Sequence, residues 1–131
     1  MWRIPQISVF VAFLLIYGPR LLVLKAQASM PEGFNNRTPR EQQAKLTGFG
    51  ARANGAHQNS FEAFAPFAAG VILCLITGNH LHWVSPICIA FIVARIAYIA
   101  CYLLDVAPVR SGVWTLGFLC SLSLLGIAAF G

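Results

Sequence analysis

Charge is what this chain has least of. Asp, Glu, Lys and Arg make up 10% of its 131 residues and only four of those are acids, against 58% hydrophobic residues and a mean hydropathy of +0.72. So few charges cannot cover a soluble domain of this length, which leaves an integral membrane protein. Internal repeats and a continuous polar lining are also missing, which argues against a transporter or channel. Cys74, Cys88, Cys101 and Cys120 lie inside apolar runs without CxxC spacing or a neighbouring His, so they point to neither a metal nor a disulfide framework. They read as small buried hydrophobes. Four spans of about 20 apolar residues plus their loops account for the chain, so residues 1–131 are expected to form a single domain.

The apolar runs come in order. Gln6 to Leu24 is the first span, interrupted by Gly18-Pro19-Arg20. Arg3 before it and Ala26-Gln27-Ala28 after it imitate a cleaved signal peptide, but Pro19, Arg20 and Lys25 crowd the place where such a signal is small and uncharged, so a retained helix is expected. Residues 25–46 form the one long polar connection. Within it Thr38-Pro39-Arg40-Glu41 has the form of a helix start, which predicts a second helix from Pro39 to Thr77 unless Gly48 or Gly50 breaks it. Gly78 to His82 is a turn, with Trp83 beside it as an interfacial anchor. Pro86 opens a third helix ending at Leu104, residues 105–112 form a short loop, and the last helix runs from Val113 to Phe130. The expected fold is an all-α, four-helix membrane bundle. The nine basic residues are scattered and mostly flank apolar segments, so they act as topology signals and not as a nucleic-acid face. They place loops 25–46 and 105–112 in the cytoplasm and both termini on the other side.

One segment carries polar chemistry into a span. On a helix, Arg52, Asn59, Glu62 and Pro66 share a stripe roughly 80° wide, while Asn54 and His57 point elsewhere. Inward Asn and Glu side chains can serve packing alone, through interhelical hydrogen bonds. Here, however, a second span carries Arg95 with Tyr98 and Tyr102 on the same face, and two matched polar stripes favour a site. Glu62 lies about 16 residues and Arg95 about 12 residues from the far-side turn, a depth difference of roughly 6 Å, so the two charges are expected to pair.

Laid out this way, the chain resembles the membrane-associated proteins in eicosanoid and glutathione metabolism, the MAPEG superfamily, and its bacterial-type branch in particular. The resemblance rests on Asn36-Arg37-Thr38-Pro39-Arg40, on Arg52 through Ala56-His57-Gln58-Asn59-Ser60-Phe61-Glu62 to Pro66-Phe67, on Ala94-Arg95 through Tyr98 to Tyr102-Leu103, and on Ala107-Pro108-Val109-Arg110-Ser111. It implies a homotrimer in a lipid bilayer, a bacterial inner membrane, and glutathione bound between subunits near the cytoplasmic side. By resemblance Arg52, Asn59, Glu62, Arg95, Tyr98 and Tyr102 are glutathione-contacting positions, and Arg110 is the catalytic cation that favours thiolate. The implied activity is that of a glutathione-dependent transferase or peroxidase acting on small lipophilic electrophiles. Two departures stand out: Gly55 where several eicosanoid-type members have an arginine, and Trp114 where they have a tyrosine. They keep open a non-catalytic membrane subunit or small-lipid binder.

Overall fold

The computed structural model describes residues 3–131. Its elements are α1 (Arg3–Ala28), α2 (Pro39–Ala44), α3 (Gly48–Thr77), α4 (Leu81–Leu103) and α5 (Ala107–Phe130). α1, α3, α4 and α5 are each long and apolar enough to cross a bilayer, and at most 33% of any of their apolar windows is buried inside the subunit. Phe10, Leu21, Ile76, Ile96 and Phe118 are among the large apolar side chains left facing outward. Such a surface requires lipid or another apolar surface around it.

Three helix boundaries differ from the sequence reading. The second helix is not continuous. The amides of Lys45 and Leu46 close α2 onto the carbonyls of Gln42 and Gln43. After extended Thr47, Gly48 takes φ +54°, a conformation open to glycine at little cost, and α3 starts there. The third helix begins at Leu81, so Pro86 falls within its second turn, where its missing N–H leaves the His82 carbonyl without a ladder donor. The fourth span begins at Ala107 with Pro108 in its first turn, which makes Arg110 helical rather than part of a loop.

α3 is the central helix, packed against α1, α4 and α5 as well as α2. Its buried positions include Gly50, Ala53, Ala56, Ser60, Ala68 and Gly70, small residues that allow neighbouring backbones to come close. At Gly70 a Cβ would stand 2.8 Å from that of Leu124. Among these positions Phe67 stacks on Phe91 with ring centroids 3.7 Å apart, and Cys74 donates from Sγ to the Leu124 carbonyl at 3.1 Å. Gly131 lies beside Asn79 and His80, and Ile4 and Pro5 border a cavity with Leu75 and Leu81. Both described termini thus sit at the α3–α4 turn, and the polar connections sit at the opposite end.

That opposite end is tied down by an amide cluster. Gln27 has no exposed surface, and its Nε2 donates to Gln42 Oε1 and to the Pro39 carbonyl, each at 3.1 Å. Gln42 Oε1 also accepts from the Asn35 amide at 3.0 Å, and its Nε2 donates to the Gly33 carbonyl at 2.7 Å. Two buried side chains therefore stand in for the backbone partners that the irregular connection lacks.

Candidate functional site

α4 places Arg95, Tyr98 and Tyr102 at i, i+3 and i+7, one face of the helix. Arg95 is only 4% exposed, and its guanidinium lies 4.3 Å over the Tyr98 ring. Tyr98 meets Tyr102 edge to face at 5.6 Å, and the Arg110 guanidinium lies 4.3 Å over Tyr102. Cation, ring, ring and cation form a ladder from the interior of the bundle to its polar end, held by quadrupole attraction at each cationic step. Arg95 also donates from Nη2 to Ser60 Oγ at 3.3 Å.

Beside the buried end of this ladder is a cavity of about 190 Å³ between α3, α4 and α5, lined by Asn59, Glu62, Pro66, Arg95, Trp114 and Ser121 among others. Asn59 Nδ2 donates to Glu62 Oε2 at 3.3 Å, while Asn59 Oδ1 is buried without a partner. Pro66 has no N–H to give, so the Glu62 backbone carbonyl lacks its helical donor as well. Trp114 stacks nearly parallel on Phe118, centroids 5.5 Å apart, as an aromatic wall. Glu62 itself is exposed on the isolated subunit. A carboxylate and a guanidinium lining one cavity suit a ligand that carries both an ammonium and a carboxylate.

Glu62 also borders a second, more polar cavity of about 490 Å³, lined by Arg20, Arg40, Asn54, His57 and Gln58 among others. His57 Nδ1 donates to the Ile16 carbonyl at 2.8 Å, just before Pro19 loosens the α1 ladder. That bond ties α1 to α3.

Of the residues singled out in the sequence, Asn59, Glu62 and Arg95 meet at the smaller cavity. Tyr98, Tyr102 and Arg110 continue the ladder away from it and do not line it. Arg52 is elsewhere: its Nε donates to the Leu103 carbonyl at 3.4 Å, capping the end of α4, and its guanidinium stands 6.0 Å from the Phe49 ring. The expected direct pairing of Glu62 with Arg95 does not form; among the described residues they share a cavity without an ion pair. Sequence reasoning missed Ser60 and Trp114 as parts of the site. Trp114 had a signal, since it follows Arg110 at i+4 and so lies on the same helical face. Ser60 had none beyond its place among small residues. Arg20 and Arg40, which flank apolar segments as topology charges do, also line the larger cavity.

A family model described as the MAPEG family matches residues 5–130. No curated protein and no solved structure matches the chain.

Proposed function

The chain belongs to the MAPEG family, and on that footing we propose that it is a glutathione-dependent transferase or peroxidase acting on lipophilic electrophiles that reach it through the bilayer. The observation that carries this reading is Glu62, a carboxylate inside an apolar span, held by Asn59 at a cavity that Arg95 also lines. A lone charge at that depth is costly, so it calls for a partner. Among the described residues Glu62 makes no ion pair, although Arg20, Arg40 and Arg95 border its two cavities; the ammonium of glutathione would pair with it, and these guanidinium groups would take the ligand's carboxylates.

The same observation supports a homotrimer with the ligand between subunits. A cavity of about 190 Å³ is small against the roughly 300–1,000 Å³ of a complete small-molecule site. A neighbouring copy closing over exposed Glu62 would enlarge the site and remove the carboxylate from lipid. Loop 25–46 and Arg110 face the cytoplasm of a bacterial inner membrane in this reading, with the C-terminus opposite, and a reporter fused after Gly131 tests it. Arg110 supplies the cation that favours the thiolate, the nucleophile that attacks the electrophile.

A second reading, a non-catalytic small-lipid binder, is favoured by the aromatic wall of Trp114 and Phe118 and by a cavity lining that does not include Arg110. Calorimetry with glutathione on detergent-purified protein, followed by thiolate absorbance and conjugation of a generic aryl halide, separates the two. Binding with thiolate formation and turnover supports the enzyme. Binding without either, or no binding at all, favours the second reading.

A further inference from the structure

Gly55 stands on α3 opposite Tyr102, and a Cβ added there would run into the Tyr102 hydroxyl, with the ring carbons Cζ and Cε1 at 2.5 and 3.0 Å. Its backbone is ordinary helix, so no left-handed φ requires glycine. Glycine inside a helix costs about 0.5–1 kcal/mol relative to alanine, and the nearby buried positions Ala53 and Ala56 do carry a methyl group. What sets position 55 apart is the approach of the tyrosine. The Tyr102 ring is fixed on its other sides by Tyr98 and by the Arg110 guanidinium. One ring thus joins α3, through its hydroxyl, to the first turn of α5, through the cation lying on its face.

We propose that Gly55 is a positioning residue for Arg110: its missing side chain seats the Tyr102 hydroxyl against α3, and the ring so placed fixes where the Arg110 guanidinium stands. The consequence for chemistry rests on the reading of Arg110 as the thiolate-stabilising cation. An arginine at position 55 would not simply add a cation to the site; it would displace Tyr102 and release Arg110 with it.

The test follows Arg110 directly. Full-length protein in detergent is treated with phenylglyoxal, and modification of Arg110 is timed by peptide mass spectrometry in wild type, Gly55→Ala, Tyr102→Ala and the double variant. Arg110 is expected to react roughly two- to fivefold faster in Gly55→Ala, the equilibrium equivalent of one cation–π contact at a part-exposed site. Tyr102→Ala should give a similar rise, and the double variant no further one, because both substitutions remove the same contact. A wild-type rate in Gly55→Ala, or the same increment with and without Tyr102, overturns the proposal. If Gly55→Ala fails to fold and the double variant folds, the rescue locates the clash at Tyr102 and supports the proposal; if neither folds, the Cβ clashes elsewhere and the proposal fails. Glutathione thiolate absorbance is read on the same samples. A faster Arg110 with an unchanged thiolate signal removes Arg110 from thiol activation and leaves its control by Gly55 standing.

Discussion

Arg95 donates to Ser60 Oγ at 3.3 Å and not to Glu62, although both charged side chains border one cavity. The buried cation is thereby held by a hydroxyl and by the Tyr98 face. Glu62 keeps one carboxylate oxygen hydrogen-bonded to Asn59 and, among the described residues, makes no ion pair.

This division predicts opposite outcomes for two substitutions. Ser60→Ala leaves Arg95 short of an acceptor and should cost about 1–3 kcal/mol of stability. Glu62→Gln keeps an oxygen that can accept from Asn59 and should change stability by less than about 0.5 kcal/mol, as for an exposed side chain without an ion pair among the described residues, yet weaken glutathione binding roughly 10- to 100-fold through loss of a charge-assisted bond. Unfolding midpoints and calorimetry decide it, and a Glu62→Gln variant as unstable as Ser60→Ala would restore a direct Glu62–Arg95 pair.

Arg110 should show itself in the pH profile of conjugation. A nearby cation lowers a thiol pKa, so removing it raises that pKa toward the ordinary value of about 8.5. Arg110→Ala should therefore lose most activity at neutral pH and regain it as pH rises through about 8.5. Arg110→Lys should fall between, since it keeps the charge and loses the planar donor fork. A uniform loss at every pH would assign Arg110 to binding and not to thiol activation.

Two glycines should respond differently to alanine. At Gly70 the new methyl would meet Leu124 Cβ at 2.8 Å, so Gly70→Ala should cost about 1–3 kcal/mol by overpacking the α3–α5 contact. At Gly117 the nearest atom would be Arg95 Cδ at an ordinary 3.7 Å, and Gly117→Ala should fold as wild type does. Equal unfolding midpoints for the two variants would show that α3 and α5 can move apart at no cost.

Gln42 anchors the long connection through bonds to Gln27, Asn35 and Gly33. Gln42→Ala orphans the Asn35 amide and the Gly33 carbonyl and leaves Gln27 with Pro39 alone, at a cost of about 1–3 kcal/mol for a buried group. Trypsin should then cut after Arg37 and Arg40 several-fold faster, followed by mass spectrometry, while the spans stay intact. Unchanged cleavage would mean that the connection is held by something other than this amide cluster.

The four spans and the faces that carry polar side chains can be read from the sequence alone. Hydropathy and the 3.6-residue period are properties of contiguous chain, so the shared face of Arg95, Tyr98 and Tyr102 and the meeting of Asn59 with Glu62 were legible without coordinates. Where a helix breaks was less so, because Gly48 permits a positive φ without requiring one. Partners across helices emerge only from the packing of the folded bundle. Depth counted along a span is good to about one turn, or 5.4 Å, which is enough to bring Arg95 near Glu62 but not to choose Ser60 over it. Arg52 shares a stripe with Glu62, yet its guanidinium is taken by a carbonyl 51 residues away, at the end of another helix. The role of Gly55 appears only when Tyr102 is seen to occupy the space a side chain would need. Which side chain fills that space depends on the approach of two helix backbones, set by packing along their whole length and not by any short stretch of either one.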